Sequence, residues 1–255
     1  MRFTRARLTT FDDPQYRAYV ARQTIGRDNQ RAIRPPRERD LFGGEAEALL
    51  REWLIGQGLA LSDRRILEYE ERRGNRSNRK YRELDALVEA ERRMHVFEIK
   101  ASRTAQSLRR GYGQLSEVRD TLRLIVPNVC STVLFVDTGI PTEAEIAELM
   151  RQDDAPPYPP QTLEQVLGQV AGLRLVASLD EARAVVDQIG VLRFSLDEII
   201  ALAGDRPLHL NWAADEDDEP PPPPPPPTRQ TIAGDDDDDD DDSPFAAAFR
   251  RAQKE

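Results

Sequence analysis

Between Ala46 and Leu54 the apolar residues Ala46, Leu49, Leu50, Trp53 and Leu54 recur at helical spacing and form one face, with Gly58 as the stop. The pattern then changes. "RRILEYEE" (64–71) alternates weakly, as a strand does, and "RRGNRSNRK" (72–80) reads as a basic loop. "YRELDALVEAERRMHVFEIKAS" (81–102) alternates on both sides of a turn at Glu91 and Arg92, which predicts a hairpin. "TAQSLRRGYGQLSEVRDTLRLI" (104–125) returns to helical spacing, with Leu108, Tyr112, Leu115 and Leu122 on one side. Gly111 and Gly113 weaken that helix, each by about 1 kcal/mol relative to Ala. "STVLFVD" (131–137) is a buried-type strand, and "PTEAEIAELMRQ" (141–152) carries proline near a helix start. The order helix, three strands, helix, strand, helix predicts an α/β layer in one domain over 41–152.

The flanks read differently. Residues 1–40 are polar and Arg-rich and end in "IRPPRERD", which predicts a basic N-terminal arm with one helix around Pro14 to Gln23. "DDAPPYPP" (153–160) is a break. Residues 161–212 predict a small, mainly helical extension from "TLEQVLGQVAGL", "SLDEARAVVDQIG" and "SLDEIIALAG", the last capped by Ser195, with "LRLVA" as a strand between the first two. This part is either an accessory lobe or a continuation of the core. From 213 to 255 the chain is low in complexity: Pro220–Pro227 favours an extended rod, and the aspartates 235–242 repel one another. A disordered tail is expected, with a short helix over "SPFAAAFRRAQKE" at its end. Such a tail could dock on a protein partner, cover a basic groove or act only as a solubilising appendage.

Charge sharpens the picture. The formal net charge is −10. Residues 213–255 hold 14 acids and 4 bases, so the rest of the chain is neutral overall. Within that body, residues 1–40 carry ten Arg against five acids, and residues 64–110 carry 14 bases against eight acids. Such segments suit a phosphate backbone, and equally a solvated Arg-rich surface. Arg64, Arg65, Arg72, Arg73, Arg76, Arg79 and Lys80 are the candidate phosphate contacts. Tyr69 and Tyr81 flank the basic loop and suit either base stacking or partial burial in a sheet. Cys130 is the only cysteine, so no internal disulfide is expected and a cytoplasmic location fits. The N-terminus lacks the apolar core of a signal peptide, and no run is long and apolar enough to span a membrane. His95 and His209 lack partners at zinc spacing.

The hairpin carries the candidate chemistry. Its register sets Asp85 opposite Glu98 and Glu83 opposite Lys100. Alternation puts Leu84, Ala86, Val88, Phe97 and Ile99 on one face and Glu83, Asp85, Glu98 and Lys100 on the other. Two carboxylates directly opposite destabilise a sheet unless a cation lies between them, and hard oxygen ligands suit magnesium or manganese. Without a cation the same residues would be a salt-bridged patch. Only three Lys stand among 36 basic residues, and one is Lys100, where a compact ammonium suits water or phosphate.

Asp85 followed by "FEIKAS" resembles the Asp and Glu-x-Lys motifs of the PD-(D/E)XK nuclease superfamily, and the element order is similar to that superfamily's restriction-endonuclease-like core. "GGEAEALLREWLIGQG" resembles the preceding helix of Holliday-junction-resolvase-like and RecB-type members, with Glu47, Leu54 and Gly58 at the family spacing. Leu84 stands where the name-giving proline would be, and Val118 where RecB-type members carry Tyr. The resemblance implies a Mg²⁺- or Mn²⁺-dependent nuclease acting on nucleic acid, DNA foremost. It implies Asp85, Glu98, the Ile99 carbonyl and Glu47 as metal ligands, with Glu45 as second choice to Glu47. Lys100 and Gln114 join Asp85, Glu98 and Glu47 as implied catalytic residues. The alternative is an inactive nuclease-fold protein that binds nucleic acid or scaffolds a complex through its tail.

Overall fold

The stretch that alternates from Tyr81 to Ala90 is not one strand: it breaks at Leu84 and Asp85, and the two halves enter different sheets. The computed structural model describes residues 2–25, 38–74, 76–153 and 155–210. Its elements are β1 (Phe3–Thr9), α1 (Pro14–Ile25), α2 (Glu38–Gly56), β2 (Ile66–Arg73), β3 (Arg76–Glu83), β4 (Ala86–Ala90), β5 (Arg93–Ser102), α3 (Gln106–Leu122), β6 (Asn128–Asp137), α4 (Glu143–Leu149), α5 (Leu163–Gln169), β7 (Leu173–Val176), α6 (Leu179–Ala184), β8 (Ile189–Ser195) and α7 (Leu196–Ala203). The architecture is mixed α/β. A three-stranded antiparallel sheet has the order β1-β2-β3, and a five-stranded mixed sheet has the order β4-β5-β6-β8-β7. In the larger sheet only β4 runs antiparallel to its neighbour.

Both faces of the larger sheet are covered, as parallel strands require. Phe97, Ile99, Leu134 and Val136 pack against Phe42, Leu50 and Leu54 of α2 and against Ile199 of α7. Val96, Val133 and Phe135 pack on the opposite side against Leu108, Leu115 and Leu122 of α3 and against the small sheet through Leu67 and Phe3. Side chains such as Leu50, Leu54, Phe97 and Phe135 are fully buried. Each contributes about 1.5–3 kcal/mol by leaving water. α2 ends as its glycine predicts: Gly58 has φ of 80°, and the Leu59 N–H closes back on the Leu54 carbonyl at 3.2 Å.

Several expectations change. Residues 1–40, read as an arm, contribute β1 and α1, and Phe3 is buried against Tyr69. The helix read at Pro14 to Gln23 is α1. The basic loop 72–80 is the β2–β3 hairpin, in which Arg72 pairs with Ser77 and Lys80 with Tyr69. The three-stranded meander is therefore four strands divided between two sheets. Glu83 pairs with Ile66 and does not face Lys100, and Leu84 packs in the α3-side core, away from Ala86 and Phe97. Residues 161–212, read as mainly helical, complete the large sheet with β7 and β8. The helix read over "SLDEARAVVDQIG" stops at Ala184, and Ile189–Ser195 is the strand between β6 and β7. Ser195 does cap α7, through a capping box with Glu198. The tail and its terminal helix, 213–255, lie outside the described residues. Among the described residues no helix is long and apolar enough to cross a membrane.

Candidate active site

The bend at Leu84 and Asp85 builds the site. The Leu84 N–H donates to the Arg65 carbonyl at 2.8 Å. The Arg65 guanidinium in turn donates to the carbonyls of Leu84 (3.2 Å) and Asp85 (2.9 Å). The β4–β5 ladder has the register read from the sequence, and its last rung is Ala86 opposite Phe97. Beyond it the Asp85 carboxylate reaches β5: Oδ2 accepts the Ile99 N–H at 2.7 Å. In a strand the N–H and C=O of one residue leave on the same edge. The Ile99 carbonyl therefore faces the Asp85 side.

Glu98 and Lys100 share the α3 face of β5 with Val96. Lys100 Nζ stands 2.5 Å from Glu98 Oε1. Gly111 of α3 lies over the stem of Lys100: a Cβ there would meet Val133 at 3.6 Å and Lys100 Cγ at 3.9 Å. These are ordinary contacts, so the glycine brings the helix close without being obligatory.

Burial pushes the Asp85 carboxyl above the usual carboxylate range, opposed by the Ile99 N–H and by Lys100, Arg65 and Arg51. Burial also raises Glu98, Asp85 raises it further, and Lys100 and Arg82 pull it down. Glu47 is raised by burial first and then by Asp85, and lowered by Arg65 and Arg51. Those arginines stand 3.9 Å and 4.0 Å from its Oε1. Asp85 thus acts on both Glu98 and Glu47.

The donor set is open. Among the described residues no three His, Cys, Asp or Glu side chains stand close enough to enclose a metal ion. Asp85 Oδ1 and Glu98 Oε2 accept no hydrogen bond from the described residues, whereas the second oxygen of each is held. Two partly buried carboxylates, each with one oxygen fixed and one to offer, together with a carbonyl on the same edge, fit magnesium or manganese. Magnesium takes one or two carboxylates and keeps several waters.

Of the acids named from sequence, Asp85 lies within electrostatic reach of Glu98 and of Glu47, but the three do not converge on one point. Glu45, the second choice, instead accepts the His209 N–H at 2.9 Å. Gln114 is exposed one turn beyond Gly111, and its carbonyl accepts Arg82 Nη1 at 3.0 Å. Among the described residues its side chain makes no hydrogen bond to Asp85, Glu98 or Lys100.

The candidate phosphate contacts divide. Arg65 is engaged in the bend. Arg64 pairs with Glu89, Lys80 with Glu71 at 2.7 Å, and Arg79 with Gln15 at 2.8 Å and Glu68 at 3.4 Å. Arg72 bonds the Gly74 carbonyl, and Arg76 is exposed with no ion pair among the described residues. Of Arg73 the backbone, in β2, is described.

Two cations were not anticipated. Arg51 lies one turn after Glu47, a spacing visible in the sequence. Arg82 reaches Glu117 at 3.1 Å and acts on Glu98. Its role follows from the separation of the two sheets, which no local pattern announces. An aromatic group at the rim was also missed. Phe11 lies beneath the Arg65 guanidinium at 5.0 Å, and Tyr16 stands between Phe11 and Tyr81 at 6.1 Å and 5.6 Å.

Compared with protein-family models, with curated proteins and with solved structures, the chain has no match.

Proposed function

We propose that the protein is a metal-dependent nuclease with a restriction-endonuclease-like core, hydrolysing phosphodiester bonds in nucleic acid, DNA foremost. The observation that carries this is the Asp85–Glu98 pair: two partly buried carboxylates, one raising the pKa of the other, each with one oxygen fixed and one to offer, beside Lys100. Asp85, Glu98 and the Ile99 carbonyl would hold Mg²⁺ or Mn²⁺, with Glu47 behind them. When bound, the ion acidifies a water and offsets the charge that gathers on the phosphate.

The chain's own residues do the rest. The Ile99 N–H and the Arg65 clamp hold Asp85 in one orientation. Glu98 Oε1 keeps the Lys100 ammonium at the site, where it orients the attacking water or neutralises a phosphate oxygen. Arg51 and Arg82 place positive charge on either side of the acids and favour the approach of a polyanion.

The second reading is a nuclease-fold protein that binds nucleic acid without cutting it. It is favoured by the lack of three converging ligands and by the Lys100–Glu98 pair, which partly neutralises the site. The test is incubation of the purified protein with Mg²⁺ or Mn²⁺ on plasmid, linear and branched DNA, beside Asp85→Ala and Lys100→Ala. Metal-dependent cutting by the wild type alone is expected. Equal cutting by all three, or cutting without metal, overturns the site. Binding without cutting selects the second reading.

A further inference from the structure

α1 and β3 enclose a groove of about 420 Å³ lined by Gln15, Ala18, Tyr19, Arg22, Arg79 and Tyr81. That volume is within the range of small-ligand sites. Tyr19 and Tyr81 meet at 4.8 Å with their planes tilted by 42°, and both rings are half-buried. Their outer surfaces line the groove and are flanked by cations. Arg79 is steadied by Gln15 and Glu68, and Arg22 is exposed with no ion pair among the described residues.

A chain of neighbouring residues links the groove to the acidic site. Tyr81 and Glu83 share one face of β3, Glu83 lies 3.8 Å from Arg65, and Arg65 holds the Asp85 carbonyl. Tyr16, which packs on Tyr81, feels the charge of Glu83.

We infer that this groove binds an unpaired nucleobase of a single strand, stacked on Tyr19 and Tyr81 with its phosphates on Arg22 and Arg79. Aromatic faces accept any base once it is free of its duplex, and arginines beside them take the backbone. A paired base cannot reach rings recessed between a helix and a strand. The substrate of the acidic site is then a single strand or a frayed or overhanging end. That assignment of substrate rests on the nuclease reading; the binding itself does not.

The experiment measures fluorescence anisotropy of labelled oligothymidylate, oligouridylate, an abasic oligomer of equal length and a blunt duplex. It is run in chelator, so no cleavage is involved, with wild type, Tyr19→Ala and Tyr19→Phe. The wild type is expected to bind the base-bearing single strands more tightly than the duplex, and the two nucleotide arms tell DNA from RNA as the preferred strand. Tyr19→Ala is expected to lose about tenfold in affinity for them. Tyr19→Phe keeps the ring and the affinity, which excludes a folding defect. The abasic oligomer binds wild type as weakly as Tyr19→Ala does. Equal affinity of wild type and Tyr19→Ala, or of abasic and base-bearing strands, overturns the inference. Tyr19-dependent binding by a wild type that, with Mn²⁺ or Mg²⁺ added, cuts neither DNA nor RNA overturns the nuclease reading and leaves the groove standing.

Discussion

The Asp85 carboxylate accepts the backbone N–H of Ile99 at 2.7 Å, next to the point where the β4–β5 ladder ends. A side chain has taken the place of a strand, and the second carboxylate oxygen accepts no hydrogen bond from the described residues. Asp85→Ala is therefore expected to lower metal-dependent cleavage by about a hundredfold or more. It should leave the cooperative thermal transition intact, since the ladder from Ala86 onward does not need it. Cleavage rates and a melting curve on the same preparation check both parts.

Lys100 lies beneath α3 and beside Glu98. A guanidinium is planar and bulkier than the compact ammonium that stands 2.5 Å from Glu98 Oε1, so it would not occupy the same point beside that carboxylate. Lys100→Arg is expected to restore little of the activity lost in Lys100→Ala, although it keeps the charge. Recovery of wild-type kcat by the arginine would assign Lys100 a purely electrostatic role.

On the nuclease reading Arg65, which holds the Leu84 and Asp85 carbonyls, acts through Asp85 as a positioning residue. Its lost hydrogen bonds to the Leu84 and Asp85 carbonyls are each worth about 1 kcal/mol. Arg65→Lys should lower kcat with little change in KM, because the acid it orients is not the residue that binds the strand. A change in KM alone would instead place Arg65 on the substrate.

Glu71 is buried between Arg2 and Lys80, each at 2.7 Å, and ties all three strands of the small sheet together. Hydrogen bonds to charged groups contribute about 1.5–3 kcal/mol. Both partners are partly exposed, so the lower end applies. Glu71→Ala is expected to lower the urea midpoint by the equivalent of about 1.5 kcal/mol. An unchanged midpoint would mean that the ion pairs of this sheet contribute nothing.

His95 is buried, its Nε2 2.8 Å from Thr132 Oγ1 and its ring against Phe97. Burial first, and then Arg183 and Arg93, lower its pKa from 6.5 to about 3. Between those values the unfolded chain binds a proton that the folded one refuses. Stability due to this group is thus complete above pH 6.5 and is lost as the pH falls toward 3, at up to about 1.4 kcal/mol per unit. Denaturation of wild type and His95→Gln across that window should show the difference between them shrinking toward acid. A constant difference would mean that His95 does not titrate differently on unfolding.

Much of this was legible in the sequence where period and burial coincide. α2, α3, β5 and β6 carry clean patterns, and the β4–β5 register follows from alternation together with the turn placed at Glu91 and Arg92. β1 was hidden by its own geometry. A bulge at Arg5, with φ of 52°, shifts the register between Thr4 and Arg7. The buried side thus passes from Phe3 to Ala6 and Leu8, and no single alternation survives. β3 was hidden because its neighbours are ionic: Arg79, Lys80 and Arg82 meet Glu68, Glu71 and Glu117. A strand held by charges from other elements looks, taken alone, like a basic loop. The start of β8 was absorbed into a helical pattern because Ile189 continues the helical spacing of Leu179, Ala182 and Val185, which left only "VLRF" as the rest of the strand.

The central claim is that Asp85 and Glu98 jointly hold a divalent cation. Calorimetric titration of Mn²⁺ into the wild type, Asp85→Ala and Glu98→Gln, each with and without a short DNA strand, tests it directly. The account predicts a single site in the wild type that is lost in both variants. Equal Mn²⁺ binding by all three proteins, or none by the wild type even with DNA present, would contradict it.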